Sequence, residues 1–256
     1  MGGATVATVA ATGARSIRRY PAAAPFVSAL EGRTLDSFDR WGKYLLIGLQ
    51  PGSDVLVTHL RMSGQLLLAS SGDVPLAKHS HVVITFTDGR QLRFVDPRTF
   101  GEMFVTSADL PELSNLGPDA LSLGRDDLAA LLGRRRARLK PLLLDQRVIA
   151  GIGNIYSDEI LWRSGLRWYR EANRLRPVEV ARLHDALSGV LAEAIARRGS
   201  SLRDAQYVDV AGQAGTFQEV HEAYGREGLA CRRCGRAMER VTVAQRSHFW
   251  CRGCQR

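Results

Sequence analysis

Residues 140–159 read KPLLLDQRVIAGIGNIYSDE, and this stretch decides the fold. Its first part, residues 140–146, is apolar and compatible with a short helix. A glycine-rich turn follows at 151–154 and leads into a second helix, which we expect over 155–164. Gly165 ends that helix, because glycine adopts the left-handed conformation that commonly closes a helix. The stretch therefore predicts two short helices joined by a tight, glycine-rich turn.

Further helices are predicted on both sides of this turn. Residues 126–132 are helical in pattern, with acidic residues near their start. A long helix opens at Pro177 and closes at Gly199. Its apolar residues recur at a spacing of three or four, which predicts one buried face: Val180, Leu183, Leu187, Val190, Leu191, Ala194 and Ile195. Residues 200–222 show no clear period and predict a loop.

The half of the chain before these helices has a different pattern. From about Phe26 to Val105, short β-rich runs are separated by turns. The clearest case is Asp88-Gly89 between the apolar runs 82–86 and 91–95, because Asp-Gly between two such runs is a hairpin signal. This half predicts a mostly antiparallel sheet or sandwich.

All the cysteines lie in the last 26 residues, in the pattern C-x2-C-x16-C-x2-C. They are Cys231, Cys234, Cys251 and Cys254. This spacing is typical of a tetrahedral zinc site, because each C-x-x-C turn directs two thiolates at one ion. Two disulfides or unrelated thiols are the alternatives, and nothing in the sequence suggests the export that disulfides need. One structural zinc ion is expected.

Positive charge is concentrated in the same segment. The chain has 35 Lys and Arg against 26 Asp and Glu, a formal charge of +9. The last 26 residues hold seven arginines and one acid, Glu239, so they carry +6 of it. A basic zinc module is typical of a nucleic-acid contact surface, although a solvated basic tail is the alternative. A second basic cluster at 134–140 would more often be a solvated face when taken alone.

Length and composition exclude several classes of protein. With 256 residues the chain can form one to three domains with a useful core. Its 45% hydrophobic content argues against a disordered protein. Membrane spans need about 18 consecutive apolar residues, and no such run is present. The start lacks a basic segment followed by an apolar block, so we expect a cytoplasmic protein without a secretory signal.

An ordered set of short motifs resembles one known family from about residue 20 to the end. The motifs are WGKYLL at 41–46, HLRMSG at 59–64, KHSHV at 78–82, DPRTFG at 96–101, the 140–159 stretch, YGR at 224–226, the cysteine frame and AQR at 244–246. They are similar to motifs of formamidopyrimidine-DNA glycosylase and endonuclease VIII. The DPRTFG motif and the zinc-finger motifs fit the formamidopyrimidine branch better.

The resemblance implies an α+β multidomain fold. It comprises an N-terminal antiparallel β-sandwich over 1–112, a helical helix–two-turn–helix domain over 113–222 and a C-terminal β-ribbon zinc finger over 223–256. The partner it implies is double-stranded DNA, preferably damaged or abasic. The resemblance also implies that the protein is a monomer and does not associate with a membrane. The loop 200–218 matches the family's lesion-covering loop only loosely, since residues 204–207 depart from the usual sequence.

A damaged base can be processed only after its nucleotide has left the stack, and something must fill the hole. The resemblance assigns this void-filling role to Met62, Arg98 and Phe100. Flexible Met and flat Phe suit a wedge, and Arg can offer paired donors to the base left without a partner. For Met62 and Phe100 taken alone, a place in the sheet core is the alternative.

The resemblance also assigns residues that grip the DNA backbone. In the 151–154 turn, Asn154 and the neighbouring N–H groups would cradle a phosphate, and a helix N-cap role is compatible with this. The resemblance assigns phosphate or sugar contacts to five residues: His79, Arg135, Lys140, Arg246 and Lys43. Two of them carry further family roles: Lys43 in the β-elimination step, and Arg246 in the second elimination.

The N-terminus departs from the family, whose members begin Met-Pro-Glu-Leu-Pro-Glu. There the proline amine attacks C1′ and the following glutamate acts as acid and base. Here Gly2 and Gly3 occupy those positions, and about one helix is expected to be missing. Three explanations stay open: an upstream start site, a paralogue that kept DNA binding but lost chemistry, or a substitute amine such as that of Gly2 or Lys43.

Three functions follow as hypotheses. The first is a protein that binds damaged or abasic duplex with lost or severely reduced catalysis, because nucleophile and acid act as a unit. The second is an active bifunctional glycosylase and abasic-site lyase that removes oxidised purines in base-excision repair. The third is a zinc-containing nucleic-acid adaptor without lesion preference.

Overall fold

The computed structural model describes residues 2–202 and 207–256. Residues 204–206, part of the loop that departs from the family sequence, lie outside the described residues. The chain divides into two compact units. The first unit comprises Met1–Ser114 and Arg198–Gly215, and the second comprises Asn115–Arg197 and Thr216–Arg256. The division into three domains at 1–112, 113–222 and 223–256 stays a prediction.

The first unit is built on an antiparallel sheet, as the alternating runs and the Asp88-Gly89 hairpin predicted. Its spatial strand order is β5-β7-β6-β1-β2-β3-β4-β8. In chain order the elements are β1 (Ala4–Ala11), α1 (Ala23–Ser28), β2 (Thr34–Trp41), β3 (Tyr44–Gln50), β4 (Val55–His59), β5 (Gln65–Ala69), β6 (Ser80–Phe86), β7 (Gln91–Val95) and β8 (Glu102–Thr106).

Strand β1 joins the two halves of this sheet. Its first residues pair with β2, with Ala4 opposite Leu35. From Val6 onward it pairs with β6, and the register of this pairing shifts between Val6 and Thr8, as at a β-bulge. Residues from both halves share one core with Phe26 of α1, which is fully buried. A single core between two halves of a sheet is the arrangement of a sandwich.

The second unit contains the predicted helices and the cysteine segment. Its elements are α2 (Arg125–Gly133), α3 (Leu139–Leu144), α4 (Asn154–Ser164), α5 (Pro177–Ala196), β9 (Glu239–Val243) and β10 (Arg246–Trp250). The predicted apolar face of α5 is buried except at Ile195, which is 61% exposed near the end of the helix. Among the described helices, none combines the length and apolar character needed to cross a bilayer.

The N-terminus of α5 is fixed by a buried carboxylate. Glu179 accepts a hydrogen bond from the backbone N–H of Arg176 at 2.8 Å, which satisfies a donor left free at the start of the helix. The guanidinium of Arg170 donates to both oxygens of the same carboxylate at 3.2 Å. Burial alone would raise the pKa of Glu179, but these hydrogen bonds outweigh it and lower the pKa to about 2.

We expect Glu179→Gln to destabilise the chain by about 1–3 kcal/mol at pH 7, because charged hydrogen bonds to a buried group are lost. A lowered folded-state pKa gives stability that is present above the unfolded pKa, near 4.5, and is lost as the pH falls toward 2. The difference between wild type and variant should therefore shrink below pH 4.5. Thermal melting over a pH series measures it, with exposed Glu227→Gln as the control. A difference that stays constant down to pH 2 would contradict this account.

Candidate functional site

The four cysteines converge on one point in the second unit. Their sulfur atoms all lie within 4.8 Å of one another, with Cys231 and Cys254 at 3.8 Å and Cys234 and Cys251 at 3.5 Å. These distances exceed a disulfide bond of about 2.05 Å. They match the edge of about 3.8 Å that follows from tetrahedral metal–sulfur bonds of about 2.3 Å. The group can hold one metal ion, and the disulfide alternative is wrong.

The hairpin between β9 and β10 presents Arg246. Its two turn residues, Ala244 and Gln245, have φ values of 47° and 61°, the left-handed pair that a two-residue hairpin of this type requires. Neither is glycine, so the turn carries strain of about 1–2 kcal/mol per residue. Strained turns of this kind cluster at functional sites. Arg246 is exposed immediately after the turn.

Asn154 is the first residue of α4, and the first backbone N–H groups of a helix have no partner within the helix and can bind an anion. The N-cap position belongs to Gly153, so the N-cap alternative for Asn154 is wrong. The side-chain amide of Asn154 donates to the backbone oxygen of Ser247 in β10 at 3.0 Å. The Asn154 turn and the Arg246 strand are therefore in direct contact.

Lys140 requires a correction, because a direct phosphate contact does not fit its position. Its side chain is fully buried, and its ammonium donates to the backbone oxygen of Asn154 at 3.1 Å, to Ser157 Oγ at 2.7 Å and to the carboxylate of Asp158. Three acceptors use all three donors of an ammonium group. Burial lowers the pKa of Lys140, and the Asp158 carboxylate limits that fall. The sequence could not reveal this burial, because the residue ends an otherwise exposed basic run.

The rest of that basic run lies at the surface. Arg134, Arg136 and Arg138 are exposed, and Arg138 stacks over the Trp168 ring at 5.7 Å. Arg135 is half-buried, and its guanidinium donates to the backbone oxygen of Leu131 at 3.0 Å. Arg135 is therefore oriented by its own helix terminus, with donors remaining for another acceptor.

In the first unit, Met62 and Phe100 are exposed by 66% and 40%. The sheet-core alternative for these residues is wrong, because neither side chain is buried. The guanidinium of Arg98 lies 4.8 Å from the centre of the Phe100 ring, a cation–π contact. The neighbouring residues Arg61 and Thr99 have φ values of 53° and 54°. Both apolar side chains are thus displayed on strained turns.

One buried carboxylate ties these two turns together. Asp96 is fully buried and accepts hydrogen bonds from the Ser63 hydroxyl, from the backbone N–H of Arg98 at 3.2 Å and from that of Gly101 at 2.7 Å. Ser63 follows Met62, while the other two donors flank Phe100. The resemblance assigned no role to Asp96, although it begins the DPRTFG motif.

Lys43 and His79 are both exposed in the first unit, and His79 has a φ of 68°. Buried His59, which the sequence reading did not single out, lies near Lys43. Its pKa is lowered to about 4, first by burial and then by the charges of Arg61 and Lys43. His59 is therefore neutral at pH 7, and its Nδ1 accepts the backbone N–H of Arg61 at 3.0 Å.

A second residue that the sequence reading did not single out is Glu159, which is fully buried in α4. Its carboxylate accepts the backbone N–H groups of Glu222, Ala223 and Tyr224 at 2.8–3.0 Å. Burial raises the pKa of Glu159, and these three hydrogen bonds oppose that rise. Glu159 thereby fixes the chain where it enters the cysteine segment.

Most of the chain matches two known protein-family domains. Residues 1–103 match the formamidopyrimidine-DNA glycosylase N-terminal domain, and residues 116–206 match the H2TH (helix–two-turn–helix) domain of the same enzymes. Together the two matches cover well over half of the chain. The chain belongs to the formamidopyrimidine-DNA glycosylase family.

Individual relatives agree with the family match. The chain is 47% identical over 222 residues to a formamidopyrimidine-DNA glycosylase of Moorella thermoacetica, covering 84% of this chain and 80% of that protein. It is 43% identical over 267 residues to one of a Parafrankia species, covering 99% and 91%. Both proteins are curated under that enzyme name.

Solved structures have the same fold. The Lactococcus lactis Fpg in complex with DNA containing an abasic site superposes with a TM-score of 0.90 at 32% identity, over 100% of this chain and 94% of that one. The MutM (Fpg) protein of Thermus thermophilus gives 0.87 at 38% identity, over 100% and 92%.

We expect Asp96→Asn to destabilise the chain by about 1–3 kcal/mol, because an amide presents one acceptor oxygen where three donors converge. Exposed Asp36→Asn is the matched control and should change stability by no more than about 0.5 kcal/mol. Urea unfolding compares the two variants. Equal stability of both would show that Asp96 does not hold these turns.

Proposed function

We propose that this chain binds duplex DNA at a damaged or abasic position. The observation that carries the proposal is the exposed set Met62, Arg98 and Phe100, held by the buried carboxylate of Asp96. Exposed apolar side chains on rigid, strained turns are costly in water and suit insertion into a gap between base pairs. The complex of the L. lactis relative with abasic-site DNA supports the choice of partner.

In this proposal the three side chains have two different roles. Met62 and Phe100 fill the space left by the displaced nucleotide, and the guanidinium of Arg98 offers donors to the unpaired base. The backbone is gripped by Asn154 and Arg246, together with Arg135, His79 and Lys43. These contacts fix position without reading sequence, as phosphate contacts generally do.

The proposal for catalysis concerns the 256-residue polypeptide as it stands. In the family a proline amine and the following glutamate carry out the attack on C1′; here positions 2 and 3 are glycines. We propose that this polypeptide has lost or severely reduced glycosylase and lyase activity, although Lys43 and Arg246 remain. The second candidate function is an active glycosylase and abasic lyase, favoured by the enzyme name of the curated relatives.

The metal of the four-cysteine site is proposed to be one structural zinc ion. Four thiolates at tetrahedral spacing are the ligand set that zinc prefers, and the site has no open ligand position. Zinc bound there would supply folding energy to the segment that presents Arg246. The ion itself would take no part in chemistry.

Removing the wedge tests the binding proposal. We expect wild type to bind an abasic duplex more tightly than the intact duplex, and Met62→Ala and Phe100→Ala to reduce that preference about tenfold each, since each loses about 1.4 kcal/mol of apolar contact. Affinity for intact duplex should stay constant. Gel shift on both duplexes measures this. Equal affinity of wild type for the two duplexes would instead favour a nucleic-acid adaptor.

Borohydride trapping tests the catalytic proposal. We expect no covalent adduct between the 256-residue polypeptide and abasic duplex, because its position 2 is glycine and not the proline that serves as nucleophile in the family. An adduct at the level of an active family member would overturn this and support the second candidate function. Trapping with Lys43→Ala would then show whether the lysine amine had formed it.

Disrupting the cysteine site tests the zinc proposal. We expect one zinc per chain in wild type and none in Cys231→Ser, with abasic-duplex binding weakened because β9 and β10 lose their support. Arg252→Ala, an exposed change within the same segment, should retain zinc. Metal analysis and gel shift give both results. Full zinc content in the cysteine variant, or normal DNA binding without zinc, would contradict the account.

A further inference from the structure

A cluster of fully buried polar side chains in the second unit lies beside Asn154 and Arg246, which we propose to grip DNA. Lys140, Asp158 and His248 are each fully buried. The carboxylate of Asp158 accepts hydrogen bonds from the Lys140 ammonium, from Nδ1 of His248 and from the backbone N–H of Phe249 at 3.0 Å. Because the atom facing His248 Nδ1 is a carboxylate oxygen, that nitrogen carries the hydrogen.

These buried contacts hold the backbone segments that carry the two proposed phosphate-binding residues, Asn154 and Arg246. Lys140 donates to the backbone oxygen of Asn154, which fixes the first turn of α4. Asp158 holds β10 at its second and third positions after Arg246, through His248 and Phe249. The bond from the Asn154 amide to Ser247 connects the same two segments at the surface.

We propose that Lys140 and Asp158 are positioning residues for DNA binding: together they set Asn154 and Arg246 in the spacing that a DNA backbone requires. The inference rests on the DNA-binding function proposed above and assigns to Lys140 a role other than phosphate contact. Neither residue touches DNA. Each acts through the backbone that it holds.

Stability alone does not account for such a pair. The cost of removing two charges from water often equals or exceeds the energy of their attraction, so well-packed apolar residues would serve a core at least as well. A buried ion pair does demand a definite geometry, because each donor must meet its acceptor. These directional contacts therefore fix α3, α4 and β10 in one arrangement. Apolar side chains in the same positions would allow several arrangements.

The test uses two substitutions with opposite effects on charge. Lys140→Met removes the cation, and Asp158→Asn keeps it while removing the carboxylate. If Lys140 bound phosphate directly, Asp158→Asn would leave abasic-duplex affinity unchanged or tighten it. The positioning role predicts that both variants weaken binding at least tenfold, measured well below their melting temperatures and at normal zinc content.

The same substitutions in an Asn154→Ala/Arg246→Ala background separate positioning from general damage. Since Lys140 and Asp158 act through those two residues, each should then weaken binding less than twofold. A tenfold loss that persists in this background would overturn the proposal. Arg136→Ala is the control for loss of a neighbouring positive charge, and it should change the affinity for abasic duplex by the same factor in both backgrounds.

A single substitution that leaves one buried charge unpaired can prevent folding. Lys140→Met/Asp158→Leu removes both charges and should fold, while losing the contacts to β10 and to Asn154. It should show the same tenfold loss and the same dependence on background. Wild-type affinity in this folded double variant would overturn the proposal.

The outcomes distinguish this inference from the proposed function. Wild type without any preference for abasic duplex would refute the proposed function and the inference with it. Wild type with that preference, together with Lys140→Met and Asp158→Asn variants that bind equally well, would refute the positioning role alone.

Discussion

The carboxylate of Asp158 is the constraint on which the second unit depends. It is fully buried and accepts hydrogen bonds from Lys140 in α3 and from His248 and the Phe249 backbone N–H in β10, two segments far apart in the sequence. A buried charge is tolerated only when its partners are in place. The cysteine segment can therefore adopt one register against α4, and that register brings the Arg246 strand beside Asn154.

The first unit uses the same device at Asp96. This fully buried carboxylate draws together the turns that display Met62 and Phe100. Each unit thus places an acidic group in its interior and leaves the side chains that we propose to contact DNA at the surface. Rigidity under the contact residues matters because a displaced nucleotide must be matched by a wedge already in position.

Much of this architecture could be predicted from the sequence. The glycine-rich turn, the Pro177 helix and the Asp88-Gly89 hairpin carry local signals that survive in the folded chain. The cysteine spacing alone indicated a shared metal site, because four thiols in two C-x-x-C turns have few other uses. The exposure of Met62 followed from the family motif and not from its residue type, which favours burial.

Other features could not be predicted, for physical reasons. Strand β1 consists of alanine, threonine and valine, and its small side chains give a weak alternation; its place is decided by pairing with β6. Helix α1 lies where a β-rich pattern was expected to begin, because Phe26 is buried from a helix and not from a strand. The burial of Lys140 depends on Asp158 and His248, which are distant in sequence and meet it only after folding.

We infer that the buried carboxylate of Asp158 holds the segments of both Asn154 and Arg246, the two residues that its contacts bring together and that we propose to bind the DNA backbone. Hydrogen exchange of wild type and Asp158→Asn, measured by mass spectrometry without DNA, tests it most directly, since exchange reports local opening. We expect faster exchange in the first turn of α4 and in β10 together, with the sheet of the first unit unchanged. Faster exchange in only one of the two segments, or in neither, would contradict it.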